Sequence, residues 1–181
     1  MTDEERRNAT AEIAARVWSL PEVESARVML LYASLASEVG TDEIAAEAAL
    51  RGKILTYPRC LRETRAMVLH RIAGLDELRR SGSFGIREPD PACPVTDLGD
   101  VDVALVPGLG WDRSGTRLGR GAGYYDRLFL NPLWRGFRCG LFFAGQEFDR
   151  LASNRLDAPL DAVVTERELV RFGRSARRGR E

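Results

Sequence analysis

The residues best equipped for chemistry stand together in the run Arg117-Leu118-Gly119-Arg120-Gly121-Ala122-Gly123-Tyr124-Tyr125-Asp126-Arg127. Glycines let backbone amides crowd around phosphate oxygens, and the helix expected to follow turns its positively polarised amino terminus toward the same anion. Arg120 supplies a planar guanidinium fork that matches phosphate. Asp126 is a carboxylate able to hold a magnesium ion beside that phosphate, directly or through water. The run is not a Walker loop, because the G-K-[ST] ending is missing, and it is not a Rossmann fingerprint. A glycine-rich turn ahead of a helix also serves as a plain tight connection, so its neighbours have to decide between the two.

Other residues narrow the chemistry further. Lys53 is the only lysine in the chain; as a compact, mobile charge it can reach a phosphate or stay solvated at the surface. Cys60, Cys93 and Cys139 form no C-x-x-C pair and His70 is the single histidine, which excludes a Cys/His zinc cluster, a Ser-His-Asp triad and a Cys-His dyad. His70 lies within an apolar segment and reads as structural. Acidic and basic residues balance at 27 each, so no global field draws the chain to nucleic acid or to an anionic membrane, and any anion site must be local. No apolar run reaches the roughly 20 residues needed to span a bilayer. The acidic start Met1-Thr2-Asp3-Glu4-Glu5 is unlike a secretory signal. A soluble, cytoplasmic monomer with neither nucleic-acid nor membrane partners is the expectation.

The elements that must position these residues alternate. Thr2-Asp3-Glu4-Glu5 caps a first helix carrying Ala9, Ile13, Ala14 and Val17 at helical spacing, ending before Pro21. Ala26–Ala33 is an almost unbroken apolar run, the mark of a strand covered on both faces. A second helix opens at Thr41 and closes at Gly52. Strands follow at Ile54–Tyr57, stopped by Pro58, and at Ala66–Ile72. Ser81–Asp97 has the composition of a long surface loop. Val101–Val106 is a further strand entering the turn cluster Pro107-Gly108-Leu109-Gly110, the end at which ligands bind in open α/β sheets. A helix over Tyr124–Leu130 and strands over Arg138–Ala144 and Ala162–Thr165 complete the pattern. This predicts an α/β fold: a single-domain three-layer sandwich over residues 1–170, its mostly parallel central sheet flanked by helices. From Arg171 onward RFGRSARRGRE lacks an apolar period and reads as a basic, disordered tail over 171–181.

Val106-Pro107-Gly108-Leu109-Gly110-Trp111-Asp112, then Gly115-Thr116-Arg117-Leu118-Gly119-Arg120-Gly121, then Gly123-Tyr124-Tyr125-Asp126, resembles the signature block of the 5-formyltetrahydrofolate cyclo-ligases, also called methenyltetrahydrofolate synthetases. Thr116 stands where that pattern has Asn. The resemblance extends upstream through Tyr32, Ser34, Glu38 and Thr41, then Arg51-Gly52-Lys53, Pro58-Arg59, Met67, Phe84-Gly85-Ile86 and Glu88-Pro89. Downstream it continues through Gln146, Asp157, Asp161 and Thr165-Glu166.

The resemblance implies an ATP- and magnesium-dependent ligase of one-carbon metabolism that converts 5-formyltetrahydrofolate to 5,10-methenyltetrahydrofolate with release of ADP and phosphate. It implies that the amides of Gly119, Gly121, Ala122 and Gly123, with Arg120, Tyr124 and Tyr125, hold ATP, and that Arg117 is a weaker phosphate contact. Asp126 would position Mg2+, and Lys53 would act with Arg120 and Asp126 in catalysis. Glu38 would face the pterin or the formyl nitrogen, its bland alternative being charge for the helix that begins near Thr41. Tyr124, Trp111 and Met67 would line the pterin cleft, with core packing as the plain role of Trp111 and Met67. The family's additional basic first helix is not matched, and Arg6 and Arg7 stand near its place without corresponding to it. Near the end only Asp157 of Asn154-Arg155-Leu156-Asp157 carries over. Two further readings stay open: a non-catalytic folate- or nucleotide-binding relative, and an unrelated sugar-phosphate or acyl-CoA protein on a similar sheet.

Overall fold

The structure is a computed structural model that describes residues 1–80 and 85–173. Helix α1 (Asp3–Val17) starts where Thr2 and Glu5 cap each other reciprocally, the Glu5 amide donating to Thr2 Oγ1 and the Thr2 amide to Glu5 Oε2. The short α2 (Pro21–Ser25) begins on a proline, which needs no amide partner there. Strand β1 (Val28–Leu30) leads through a polar turn to α3 (Asp42–Leu50), then to β2 (Ile54–Leu61) and β3 (Ala66–Ile72), which form a hairpin. Strands β4 (Leu78–Arg80) and β5 (Arg87–Pro89) pair with each other. Next come β6 (Val103–Val106), β7 (Gly110–Asp112), β8 (Arg117–Leu118), α4 (Tyr124–Leu130), β9 (Phe137–Leu141), β10 (Glu147–Phe148), β11 (Ala162–Val164) and β12 (Leu169–Arg171).

Seven strands form the main sheet in the order β12-β11-β9-β6-β1-β2-β3. Its inner pairs are all parallel, and only the edge pairs β11/β12 and β2/β3 are antiparallel. Alternation explains the continuous apolar runs. Met29, Val103, Leu105, Cys139, Leu141 and Val164 face a core shared with Ile13 and Val17 of α1 and Ile44 and Ala48 of α3. Val28, Leu30, Ala104, Val106 and Val163 face a second core built from Trp111, Leu128, Phe129, Trp134 and Phe142. The fold is therefore the expected layered α/β arrangement. One layer is helical; the other is α4 together with the small sheet β10-β7-β8.

Three expectations are corrected. Pro58 does not stop β2, which continues to Leu61. Strand β1 pairs only as far as Thr56, so from Tyr57 onward β2 has β3 alone as its partner, and an edge tolerates proline. The segment expected as a loop over 81–97 contains β5 and lies along β3: the Arg71 amide donates to Pro94 O, the Thr96 amide to Leu69 O, and Glu88 is buried. Residues 81–84 lie outside the described part. At the carboxyl end, Arg171 belongs to β12 and ion-pairs with Glu22, while Phe172 packs on Trp111 at 6.3 Å between ring centroids. The β11 ladder supplies partners that an isolated basic tail lacks. Residues 174–181 lie outside the described part.

Candidate active site

Strands β1 and β6 are parallel neighbours, so their carboxyl ends open onto the same edge of the sheet. From β1 the chain turns through the segment that carries Ser37 and Glu38. From β6 it enters the β7–β8 hairpin and then the glycine-rich loop. The entry is tight: a Cβ at Gly108 would lie 2.8 Å from the Phe142 ring and 2.9 Å from Leu118 O. Gln146 staples this turn, its amide nitrogen donating to Gly108 O at 3.2 Å and Leu109 O at 3.3 Å while its oxygen accepts from the Phe143 amide.

Asp112 organises the hairpin. Its Oδ1 accepts from the Ser114 amide (2.9 Å), the Ser114 hydroxyl (2.6 Å) and the Thr116 amide (3.2 Å), and its Oδ2 from the Leu151 amide (2.8 Å). Burial by itself would raise its pKa, but the four donors outweigh it and hold the carboxyl below its ordinary value.

The glycine loop bends through left-handed residues at Gly121 (φ +84°) and Gly123 (φ +67°), a conformation that costs side-chain-bearing residues energy. Among the described residues, none of the amides from Gly119 to Gly123 donates a hydrogen bond. Arg120 reaches from this loop to the β1 turn, Nη2 lying 3.3 Å from Ser37 Oγ and 3.3 Å from Glu38 Oε1. Its side chain is 45% exposed whereas that of Glu38 is 10% exposed, so the guanidinium can change partner while the carboxylate stays in place. The other Glu38 oxygen accepts from the Leu35 amide at 2.9 Å.

Beneath the loop, Arg117 is almost enclosed, its side chain 5% exposed. It donates to Asp126 at 3.3 and 3.4 Å and to Pro107 O at 3.4 Å, and lies 5.4 Å from the centroid of the Tyr125 ring. Asp126 Oδ1 also accepts from the Ala158 amide at 3.2 Å, which brings the Asp157–Ala158 segment against the start of α4. Burial pushes the Tyr125 phenol far above its ordinary pKa, so it remains neutral.

The structure thus gathers Glu38, Arg117, Gly119, Arg120, Gly121, Ala122, Gly123, Tyr124, Tyr125 and Asp126 at one edge. Arg6 of α1 comes to the same edge, 5.6 Å over the Phe143 ring. Met67 is half-buried on β3 and packs against the second core.

Two expected site residues are elsewhere. Trp111 is fully buried between Phe142 and Phe172. All of β7 is buried, and the rings packed on either side of Trp111 keep it from lining an open cleft. Lys53 precedes β2 at the amino-terminal edge of the parallel strands, where its ammonium donates to the carbonyls of Glu24 and Ala26, both at 2.7 Å. It closes the α2–β1 turn instead of reaching the loop. Ser37 and Arg127 went unassigned in sequence. Ser37 has no pattern to mark it, whereas Arg127 stands in the glycine-rich run itself and contacts both Ala122 O and Arg65 O.

A sequence model described as the 5-formyltetrahydrofolate cyclo-ligase family matches residues 1–166. The chain belongs to the 5-formyltetrahydrofolate cyclo-ligase family. The cyclo-ligase of Saccharomyces cerevisiae is 34% identical over 174 residues, covering 84% of this chain and 82% of the yeast protein. The solution structure of Aquifex aeolicus 5,10-methenyltetrahydrofolate synthetase superposes with a TM-score of 0.81 at 34% identity, over 97% of this chain and 88% of the other. The Mycoplasma pneumoniae synthetase shares the fold with a TM-score of 0.72 at 20% identity, over 92% and 90% of the two chains.

As a member of this family the chain is an enzyme of the ligase class. What its site offers is a cradle of undonated amides, one exposed guanidinium and one nearly buried carboxylate, suited to orienting an anion beside a polar organic group. Among the described residues no group of three or more His, Cys, Asp or Glu side chains is placed to hold a metal. No helix among them is long and apolar enough to cross a membrane.

Proposed function

We propose that this cyclo-ligase uses magnesium-ATP to convert 5-formyltetrahydrofolate to 5,10-methenyltetrahydrofolate, releasing ADP and phosphate. The observation that carries the reading is the meeting of Arg120 with Glu38 at 3.3 Å, which joins the amide-lined glycine loop to the acid at the end of β1. In this reading the amides of Gly119, Gly121, Ala122 and Gly123 hold the triphosphate, and Arg120 leaves Glu38 to neutralise charge at the transferred group. Glu38, released from the pair, holds the nitrogen region of the formyl-pterin. Tyr124 and Met67 border the ring. The formyl oxygen attacks the γ-phosphorus as the bond to ADP breaks; N10 then closes on the formyl carbon and gives up its proton to the phosphate, which leaves as the carbon–oxygen bond breaks. Such a transfer asks mainly for alignment and charge neutralisation, which a site without a covalent nucleophile can supply.

Magnesium, when bound, neutralises phosphate charge and fixes the phosphate oxygens in space. The donor set fits an ion carried largely by the triphosphate and water. Asp126 is a single carboxylate already engaged by Arg117 and the Ala158 amide, so it fits contact through water, with Asp157 as the neighbouring acid.

The test is absorbance in the methenyl-folate band after mixing the protein with 5-formyltetrahydrofolate and magnesium-ATP. A rise that requires ATP, and that is lost in Arg120→Ala and Glu38→Gln, supports the reading. A flat trace from cooperatively folded protein removes it.

A further inference from the structure

Arg127 lies on the first turns of α4 with its guanidinium engaged by two separate backbones. Its Nη2 donates to Ala122 O, and its Nε donates to Arg65 O at 2.9 Å. The guanidinium carbon also sits 5.7 Å from the centre of the Tyr124 ring. Arg65 is at the tip of the β2–β3 hairpin and is the one non-glycine with positive φ (53°) among the described residues. That strained turn presents its carbonyl to Arg127. An exposed arginine is ordinarily solvated and rotamerically free; this one ties the hairpin tip to the glycine loop.

The consequence follows from peptide geometry. In a trans peptide the carbonyl of one residue and the amide of the next point in opposite directions. With Ala122 O held by Arg127, the Gly123 amide must point to the far side of the loop, away from α4's flank. Gly123, which flanks this peptide, would otherwise let it rotate, because glycine pays no steric cost for left-handed backbone. A Cβ at Gly123 would stand 3.0 Å from Arg127 Nη1 and would crowd the guanidinium, while the φ of +67° is the stronger reason for glycine at this position.

We infer that Arg127 is a positioning residue: by anchoring Ala122 O it presets the Gly123 amide, and with it the loop, for the phosphates of the nucleotide. The role rests on the functional reading above, and it is specific to one substrate. Freeing the loop forfeits the net contribution of about one hydrogen bond, so nucleotide affinity falls roughly tenfold. Arg127 also touches Tyr124 and the hairpin tip, but Glu38 on the β1 turn holds the folate independently of it, so the folate side changes far less than the nucleotide side.

The experiment measures KM and kcat for ATP and for 5-formyltetrahydrofolate in wild type, Arg127→Ala and Arg127→Lys, alongside melting temperatures and titration of each protein with inorganic tripolyphosphate. Arg127→Ala should raise the KM for ATP and weaken tripolyphosphate binding, each about tenfold, with the folate KM held within about twofold. Low concentrations of guanidinium ion should partly restore ATP use. Arg127→Lys, which can satisfy one carbonyl but not both, should fall between.

An unchanged KM for ATP overturns the inference. So does a parallel rise of both KM values accompanied by a lower melting temperature, which would mark Arg127 as a general structural strut. A wild type that binds tripolyphosphate but never turns over condemns the functional reading alone, and the titrations of the variants still decide the role of Arg127.

Discussion

Asp126→Asn separates the structural duty of this acid from the role proposed for it beside the phosphates. Asp126 is the counter-charge of Arg117, whose side chain is 5% exposed against 22% for Asp126. In the variant the remaining oxygen can keep the Ala158 amide, which now lies at 3.2 Å, but the new NH2 then faces the guanidinium donor to donor. Breaking a buried pair by removing one partner costs about 3 to 5 kcal/mol. Here the contacts at 3.3 and 3.4 Å are long for charge-assisted bonds and the acid is partly wet, so about 2 kcal/mol is expected. For a chain of this size that lowers the melting temperature by roughly 4 to 8 °C. Thermal unfolding followed by circular dichroism on wild type, Asp126→Asn, Arg117→Met and the double variant measures it. Removing the stranded cation should return stability, with a coupling of at least about 1 kcal/mol in the cycle, while turnover stays absent in the double variant. A single variant melting within about 1 °C of wild type, or a double variant no more stable than Asp126→Asn, would refute the reasoning.

Three further outcomes are expected. Gly121→Ala, where a Cβ meets nothing within 4 Å but φ is +84°, should cost only about 1 kcal/mol of stability while raising the KM for ATP, as steady-state kinetics would show. Lys53→Met should leave the KM for ATP at its wild-type value and lower stability by about 1 kcal/mol, because its two carbonyl contacts are structural; a large rise in that KM would restore it to the site. Asp112→Asn should destabilise by about 2 kcal/mol at neutral pH, since either amide orientation sets NH2 against a buried backbone donor. The Asp112 carboxyl is held below its ordinary value of 3.8, so the stability it contributes is full above that pH and is lost as pH falls through the depressed folded value. Urea titrations across that range should show the gap between wild type and variant closing in acid.

Much of the site was legible because its parts are adjacent in the chain. Arg117, Arg120, Asp126 and the glycines share one run, and a left-handed turn before a helix needs glycine at defined places whatever the rest of the fold does. The strands at Val28–Leu30 and Val103–Val106 were visible because burial on both faces leaves no polar residue to interrupt them. Pro58 misled because its rule applies to central strands, and only the register with β1 shows that β2 has already become an edge. Lys53 misled because rarity of a residue type carries no position, whereas Trp111 was misplaced because which way one residue of a three-residue strand faces depends on what packs behind it.

Local sequence determined the repertoire: a glycine-rich loop ahead of a helix, an α/β alternation, and the exclusion of a Cys/His zinc cluster, a Ser-His-Asp triad and a Cys-His dyad. Tertiary structure decided the pairing. Glu38 meets Arg120 across 82 positions of chain, Asp126 receives the Ala158 amide across 32, and Arg127 takes the Arg65 carbonyl across 62. Contacts of such separation have no local signature, since they exist only once β1 and β6 pair in parallel and the β2–β3 hairpin folds against α4.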